Sequence, residues 1–301
     1  MNGAGGGVKQ AFGKVRSAAI AALALLAGGC ERMVVLNPKG PIADAERGLM
    51  IDAFVVMMIV VVPIIVMVFL FALRYRAGRN ARYEPTWAYS ARVDAFVWLV
   101  PALIVIAVAV LLWRTTHKLD PYREIASDKP ALDVQVVAQD WKWLFIYPEQ
   151  GVASVNQLAI PTGRPVSLRI TSDTVMNSFY VPALAGQIYA MAGMQTRLQI
   201  LADKPGKFVG RNTQYSGGGF SDQFFEVLAT TPAEFDAWVA KAKQSPDKLD
   251  PPTYARLAEK SRLNPVVHYS AVEPRLFDKI IEKYAGPHTH GAASASPPAR
   301  R

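Results

Sequence analysis

The sequence predicts a membrane-bound α + β protein: a two-helix transmembrane hairpin, then an extracytoplasmic antiparallel Greek-key β-sandwich or barrel with a helical C-terminal extension. Three observations lead to this prediction. A leader ends at the one cysteine of the 301-residue chain, two long apolar stretches flank an arginine-rich segment, and short alternating strand patterns fill residues 131–230. With 51% hydrophobic residues the chain is too apolar for an ordinary soluble domain, and its length allows about two domains.

Residues 1–29 have the parts of a secretory signal peptide. Three cations, Lys9, Lys14 and Arg16, precede the apolar run "AAIAALALLA", and "GGC" follows it. The ending "LAGGC" resembles a bacterial lipobox, in which the cysteine is lipidated, so Cys30 is the predicted lipid attachment site. Leu26 departs from the usual spacing by one position, and the alternative is a plain signal peptide with a chance cysteine.

Two apolar stretches, 49–73 and 93–113, are the predicted transmembrane helices. At about 1.5 Å per residue they would span about 37 and 31 Å, enough to cross a bilayer. A core helix of a soluble protein would carry a polar face, and neither stretch has one. Pro63 and Pro101 lie within them, which membrane helices tolerate.

The connecting loop, 74–92, orients the hairpin. It contains Arg74, Arg76, Arg79, Arg82 and Arg92 against a single glutamate, so the positive-inside rule places it in the cytoplasm. The segment 30–48 and everything from about residue 114 are then outside. The net charge of +9 follows from arginines beside the spans and from the leader, and it does not require a nucleic-acid partner.

Each span carries one aspartate, Asp52 near the predicted outer end and Asp94 near the inner end. An ionisable group at a membrane helix end either reaches interfacial water or belongs to a proton or ion path between helices. Position alone favours the interfacial interpretation.

The outer region divides into a strand-rich domain, 114–230, a helical extension, 231–285, and a tail, 286–301, of low-complexity composition predicted to be disordered. Alternating runs such as "LDVQVVAQDWKWLFIY" and "PVSLRITS", separated by Gly and Pro, predict many short strands. In "TPAEFDAWVAKAKQS", Thr231, Pro232 and Glu234 form a capping box ahead of an apolar stripe of Phe235, Trp238 and Val239.

A lipobox, two spans with an arginine-rich inner loop and an outer β domain with "DWKWLFIYPEQG" resemble subunit II of the haem–copper oxidases over nearly the whole mature chain. The resemblance implies a cupredoxin-like outer domain. In the cytochrome c-oxidising members this domain holds a dinuclear copper centre, with a His in a D-V-x-H-S-F-like turn and a loop of the form C-x-E-x-C-x-x-x-H-x-x-M. Such a centre needs soft thiolates to bridge the two coppers.

This sequence keeps the framework of the copper site and none of its ligands. In "SDTVMNSFYVPAL" and "FVGRNTQYSGGGFSDQ", the lost ligand positions that the resemblance identifies are Asn177, Asn212, Gln214, Ser216, Phe220 and Gln223. We therefore expect no metal here, loop glycines that serve backbone geometry, and polar side chains that hydrogen-bond within the fold. Trp141 matches an aromatic that takes electrons in copper-bearing relatives; without copper, Trp141 and Trp143 are expected to be structural.

The resemblance narrows to the cytochrome bo-type ubiquinol oxidases through "VMNSFYVPALAGQIYAMAGMQTRLQI" and "FDAWVAKAKQSP". It implies a non-catalytic subunit of a proton-translocating quinol oxidase in a bacterial inner membrane. Partners would be subunit I, with subunits III and IV, membrane lipids, and ubiquinol as substrate of the complex. Haems and copper would lie in subunit I. It also favours a proton-path role for Asp94. The alternatives are a copper-bearing cytochrome c oxidase subunit and a free-standing lipoprotein with a ligand-binding sandwich.

Overall fold

The computed structural model describes residues 33–78 and 85–285. The predicted signal peptide, Cys30, part of the arginine-rich loop and the tail 286–301 lie outside the described residues. The chain forms two compact units, one comprising Ala45–Arg123 and the other comprising the residues before and after it.

The helical unit contains most of α1 (Pro41–Arg74) and all of α2 (Ala91–Lys118). Both helices are long and apolar enough to cross a membrane, and their apolar side chains are unburied within the chain. Pro63 and Pro101 lie inside them without ending them. A lipid environment or partner helices would cover such surfaces, and this fits an inner-membrane protein.

The first turn of α1 belongs to the outer unit. Pro41 starts the helix, Ile42 packs against the core of the outer domain, and Ala43 is buried. The backbone N–H of Ala43 donates to the carbonyl of Leu184. Gly40 approaches the Leu201 carbonyl so closely that a Cβ would overlap it. Gly40 and the first turn of α1 therefore pack against the outer domain.

The outer domain is a cupredoxin-like β-sandwich of two sheets. One sheet has the order β11-β3-β2-β1-β5-β8 (sheet A), and the other has the order β4-β10-β9-β6-β7 (sheet B). The strands are β1 Leu132–Gln139, β2 Lys142–Tyr147, β3 Val152–Val155, β4 Gln157–Pro161, β5 Val166–Ser172, β6 Asn177–Val181, β7 Ala185–Ala190, β8 Thr196–Ile200, β9 Gly206–Asn212, β10 Phe224–Thr230 and β11 Val267–Tyr269.

The sheets are mixed, so the expectation of a purely antiparallel sandwich was wrong. β1 pairs with β5, and β4 with β10, in parallel. The reason lies at Asn156, where a positive φ of 55° bends the chain from β3 in sheet A directly into β4 in sheet B. Asparagine tolerates this conformation better than most residues. Alternating hydrophobicity predicts where the strands lie. It does not predict that the chain changes sheets after β3, and this change sets the direction in which strands pair.

The sandwich core is built around aromatic side chains. Trp143 and Phe145 of β2 meet Phe179 and Phe225 of sheet B, with ring centroids 5.1 to 6.5 Å apart. All four side chains are buried. Aromatic pairs at such separations add to the free energy gained from area burial. The position of Trp143 in the core therefore supports the structural role expected for it.

The C-terminal extension consists of α3 (Pro232–Lys243), α4 (Pro251–Ala258), strand β11 and α5 (Leu276–Tyr284). Helices α4 and α5 cover the outer face of sheet A, whereas the apolar side chains of α3 join the sandwich core. Leu144 and Ile146 of β2 pack in one cluster with Phe277 and Ile280 of α5. Because sheet B covers the other face of β2, every residue of that strand is buried. This explains why "KWLFIY" does not alternate in polarity.

The predicted capping box at the start of α3 is confirmed. Thr231 Oγ1 accepts from the N–H of Glu234, and Glu234 Oε2 accepts from the N–H of Thr231 at 2.9 Å. These hydrogen bonds hold the pKa of the exposed Glu234 carboxyl below its usual value. Phe235, Trp238 and Val239 are buried, as the apolar stripe predicted.

Gly210 tests how tightly the core is packed. It lies in β9 opposite Phe225, and a Cβ at this position would overlap the Phe225 ring. We expect Gly210→Ala to lower the free energy of unfolding by about 1 to 3 kcal/mol, because the ring must leave its place in the core. Gly218→Ala is the control, since its Cβ meets no atom within 4 Å. Thermal unfolding of the detergent-solubilised chain measures both; equal melting temperatures would contradict the packing.

Candidate functional site

Three loops meet at one end of the sandwich. They are the β1–β2 turn with Asp140 and Trp141, the β5–β6 loop, 173–176, and the long β9–β10 loop, 213–223. We call these three segments the site loops. Residues of the last two, and of the strands that they join, carry the positions predicted from the copper-ligand pattern.

The Asn212 side chain has a fixed orientation at the end of β9. Its Oδ1 accepts hydrogen bonds from the backbone N–H groups of Ser178, at 2.8 Å, and Gln214, at 3.0 Å. A backbone N–H can only donate, so the atom that it meets must be the amide oxygen. The Asn212 NH₂ group is thereby turned toward the centre of the loop.

The centre of the loop is a closed polar cluster. Asn212 Nδ2 lies 2.8 Å from Asn177 Oδ1, 2.9 Å from Gln223 Oε1 and 3.1 Å from Ser216 Oγ. Ser216 Oγ donates to Gln223 Oε1 at 2.9 Å. Asn177, Asn212 and Gln223 are at most 4% exposed. Buried polar groups in such positions stabilise a fold only when they are paired, and these are. The structure therefore has the hydrogen bonding within the fold that we expected.

The two acceptor amides are also held by backbone groups. Asn177 Nδ2 donates to the Val175 carbonyl at 2.8 Å, and Gln223 Nε2 donates to the Gln139 carbonyl at 3.3 Å. A carbonyl can only accept, so the oxygens of both side chains face Asn212. The orientations of all three amides are therefore set by the main chain.

Trp141 covers the loop from the side of the β1–β2 turn. Its Nε1 donates to the Ser216 carbonyl at 3.1 Å, and its ring lies against Gly219, where a Cβ would overlap the ring. Gly217 has a φ of 101°, which side chains rarely permit. Trp141 itself has a φ of 63°, an uncommon conformation for a bulky residue. The loop glycines thus serve backbone geometry and close approach, as expected.

The other two positions from the copper-ligand pattern do not join the cluster through their side chains. Gln214 contributes its backbone N–H to Asn212, and the Phe220 ring packs against Tyr215 with centroids 5.8 Å apart. The structure therefore brings together four of the six predicted positions.

The donor set of the cluster does not fit a copper centre. The two hydrogens of the Asn212 amide occupy the middle of the site, where they would face a cation. The remaining groups are neutral amide and hydroxyl oxygens, which are poor ligands for copper. Among residues 33–78 and 85–285, no group of three or more His, Cys, Asp or Glu side chains could hold a metal ion.

The predicted proton-path residue lies in the other unit. Asp94 is in the first turn of α2, where its N–H donates to the Ser90 carbonyl at 2.9 Å, and its side chain is exposed within the chain. Asp52 is exposed on α1. Both carboxylates lie on the surface of their helices.

Comparisons with known proteins match both outer regions. The family model for the cytochrome c oxidase subunit II periplasmic domain matches residues 147–225, and the COX aromatic-rich motif matches residues 243–288. The chain is 48% identical to cytochrome bo(3) ubiquinol oxidase subunit 2 of Pseudomonas putida over 87% of this chain and 83% of that protein. It is 50% identical to ubiquinol oxidase subunit 2 of Acetobacter aceti, over 87% and 85%. It is 34% identical to quinol oxidase subunit 2 of Bacillus cereus, over 92% and 98%.

The chain belongs to the ubiquinol oxidase subunit 2 family. The resemblance inferred from the long sequence strings is thereby confirmed. In this chain, the region that matches the periplasmic domain of cytochrome c oxidase subunit II includes the site loop 213–223 and the residues of the amide cluster.

Sequence reasoning missed the contacts that the extension makes with the site loops. Asp173, in the β5–β6 loop, accepts from Tyr254 and Lys283 of the extension at 2.6 and 2.8 Å. Burial, and then the charge of Asp173, raise the pKa of Tyr254. The sequence feature that could have indicated these contacts was Lys142, the one charged residue in the apolar strand "KWLFIY". Its side chain is 1% exposed, and burial lowers its pKa, although Asp140 and Glu259 oppose this effect.

Asn212→Asp tests the orientation of the cluster. The substitution replaces the inward NH₂ group by an oxygen and places a buried carboxylate against two amide oxygens. We expect the free energy of unfolding to fall by about 3 kcal/mol at neutral pH. The penalty should shrink as the pH falls from neutral toward about 4, where the introduced carboxyl becomes neutral in both the folded and unfolded states.

Ser216→Ala is the matched control, because it removes one hydroxyl and leaves all amide orientations unchanged. Thermal unfolding of both variants across pH 4 to 8 measures the effect. A stability of Asn212→Asp equal to that of the parent chain would contradict the assigned orientation.

Proposed function

We propose that this chain is subunit II of a terminal ubiquinol oxidase, in which it carries no redox centre of its own. The observation that supports this most is the donor set of the loop: a fixed amide N–H group stands where a copper centre would need thiolate and imidazole ligands. The names of its relatives support the same substrate.

The donor set of the cluster bears directly on the electron donor. A subunit that accepts electrons from cytochrome c needs a metal between that donor and the haems of its partner. The cluster offers no site for such a metal, so electrons enter the complex elsewhere, from quinol. Oxygen is then reduced to water and protons are pumped by the complex, whose haems and copper we assign to subunit I.

We assign to this chain a role in the assembly and structural support of the complex. Its two helices would contact subunit I, subunits III and IV would complete the complex, and the outer domain would lie in the periplasm. A lipid on Cys30 would add an anchor on the outer leaflet. The free-standing lipoprotein is the weaker alternative, since two spans and a lipid exceed the anchoring such a module needs.

We propose further that Asp94 belongs to a proton-uptake path. The arginine-rich loop places the start of α2 on the cytoplasmic side, where protons are taken up. The Asp94 carboxylate is exposed there within the chain, and an acidic group near a membrane helix end can feed a path in an adjacent subunit.

Oxygen consumption by the complex that copurifies with this chain tests the main proposal. Fed with ubiquinol, the complex should consume oxygen; fed with reduced cytochrome c, it should not. Metal analysis of the chain after separation from its partners should find no bound copper. Consumption with cytochrome c would overturn the proposal, and purification without a haem-bearing partner would favour the free-standing lipoprotein.

Asp94→Asn tests the proton path. It should slow quinol-driven oxygen consumption on the order of tenfold, a barrier increase of about 1.4 kcal/mol, because the amide does not exchange protons. Asp52→Asn, at the other end of the hairpin, is the control and should leave turnover unchanged. The haem content of both variants reports assembly. Unchanged turnover of Asp94→Asn across pH would remove this residue from the path.

A further inference from the structure

The extension contacts every one of the three site loops, and its first contact is with Asp173. This carboxylate begins the β5–β6 loop and its side chain is 1% exposed. Tyr254 of α4 and Lys283 of α5 both donate to it, and the Tyr284 hydroxyl donates to its backbone carbonyl at 2.9 Å. Two helices of the extension therefore converge on the first residue of a loop that leads to Asn177.

The second contact is with the β1–β2 turn. The buried Lys142 ammonium donates to the Glu259 carbonyl at 2.6 Å and to the Ser261 hydroxyl. Lys260 forms an ion pair with Asp140, with the charged atoms 3.7 Å apart. The segment that follows α4 is thus fixed against the turn that carries Trp141.

The third contact is with the β9–β10 loop. Arg262 donates through two nitrogens to Asp222 Oδ2, at 2.6 and 2.8 Å. Asp222 lies in the short 3₁₀ helix Phe220–Asp222, directly before Gln223 of the cluster. Two residues further on, the Asn264 carbonyl accepts from the side chain of Asn156 at 3.0 Å.

We propose that the C-terminal extension is a clamp that holds the three site loops in register, so that the amide cluster stays closed. A metal centre joins the loops that ligate it through strong bonds. In this chain, the loops are joined by the hydrogen bonds of the cluster, by those of Trp141 to Ser216 and of Thr174 to Asp140, and by the extension. The contacts of the extension with Asp173, Asp140, Lys142 and Asp222 fall within two residues of a cluster residue or of Trp141, or on a loop that leads to one.

The extension can release the loops without leaving the domain. β11 pairs with β3 through the backbone, and Leu276, Phe277 and Ile280 of α5 pack on sheet A. None of these contacts involves Asp173 or Arg262, so substitutions at those two positions remove side-chain contacts with two of the three site loops and leave the packing of the extension in place.

Hydrogen–deuterium exchange of the purified complex tests the clamp. In a double variant, Asp173→Ala with Arg262→Gln, backbone amides in 173–178 and 213–223 should exchange about tenfold faster, and those of β2 should not change. Arg275→Gln is the matched control, because Arg275 pairs with Asp278 and Glu282 of the extension itself. It should leave the site loops unchanged.

A milder variant tests the clamp if the double variant fails to fold. Tyr254→Phe removes one hydroxyl and keeps the ring, and it should speed exchange in 173–178 with little effect on 213–223. Faster exchange in α4 and α5 without a change in the site loops would overturn the proposal, since the extension would then be only a cover. The readout does not depend on the electron donor, so this result and the test of quinol oxidation are independent.

Discussion

The site depends on one constraint, the commitment of the Asn212 side-chain oxygen to two backbone N–H groups. These donors cannot reverse their role, so the amide N–H₂ must face inward. The inward hydrogens require acceptors, and the backbone carbonyls that bind Asn177 and Gln223 turn the oxygens of those residues toward them. The centre is thus occupied by hydrogen bonds whose directions suit a neutral cluster and oppose a cation.

The framework around this cluster matches the family model for the periplasmic domain of cytochrome c oxidase subunit II. Glycines at 217 and 219 let the loop turn and let the Trp141 ring approach it. The positive φ of Trp141 persists because its ring packs against Gly219 and its Nε1 donates to the Ser216 carbonyl. One fold can hold sites of different chemistry, which is why function has to be argued from the side chains.

Much of this could be predicted from local sequence. The spans follow from length and apolarity, the start of α3 from Thr231 and Glu234, and the strands from alternation. The members of the cluster followed from a family motif, yet two of the orientations depend on backbone groups far along the chain, Ser178 for Asn212 and Gln139 for Gln223. The parallel pairing of β1 with β5 and the ion pair of Asp222 with Arg262 join residues that are far apart in sequence. No local sequence pattern therefore predicts them. Such features arise only when the sheets and the extension pack together.

Lys142 shows why the extension and the sandwich must be treated as one cooperative unit. A buried ammonium costs several kcal/mol unless hydrogen bonds satisfy it, and both acceptors described for Lys142 belong to the extension. Just after these two residues, Leu263 has a φ of 53° and is 70% exposed. An exposed leucine in that conformation is unfavourable by itself. It persists because the contacts on either side of it, from Ser261 to Lys142 and from Asn264 to Asn156, fix the path of the backbone.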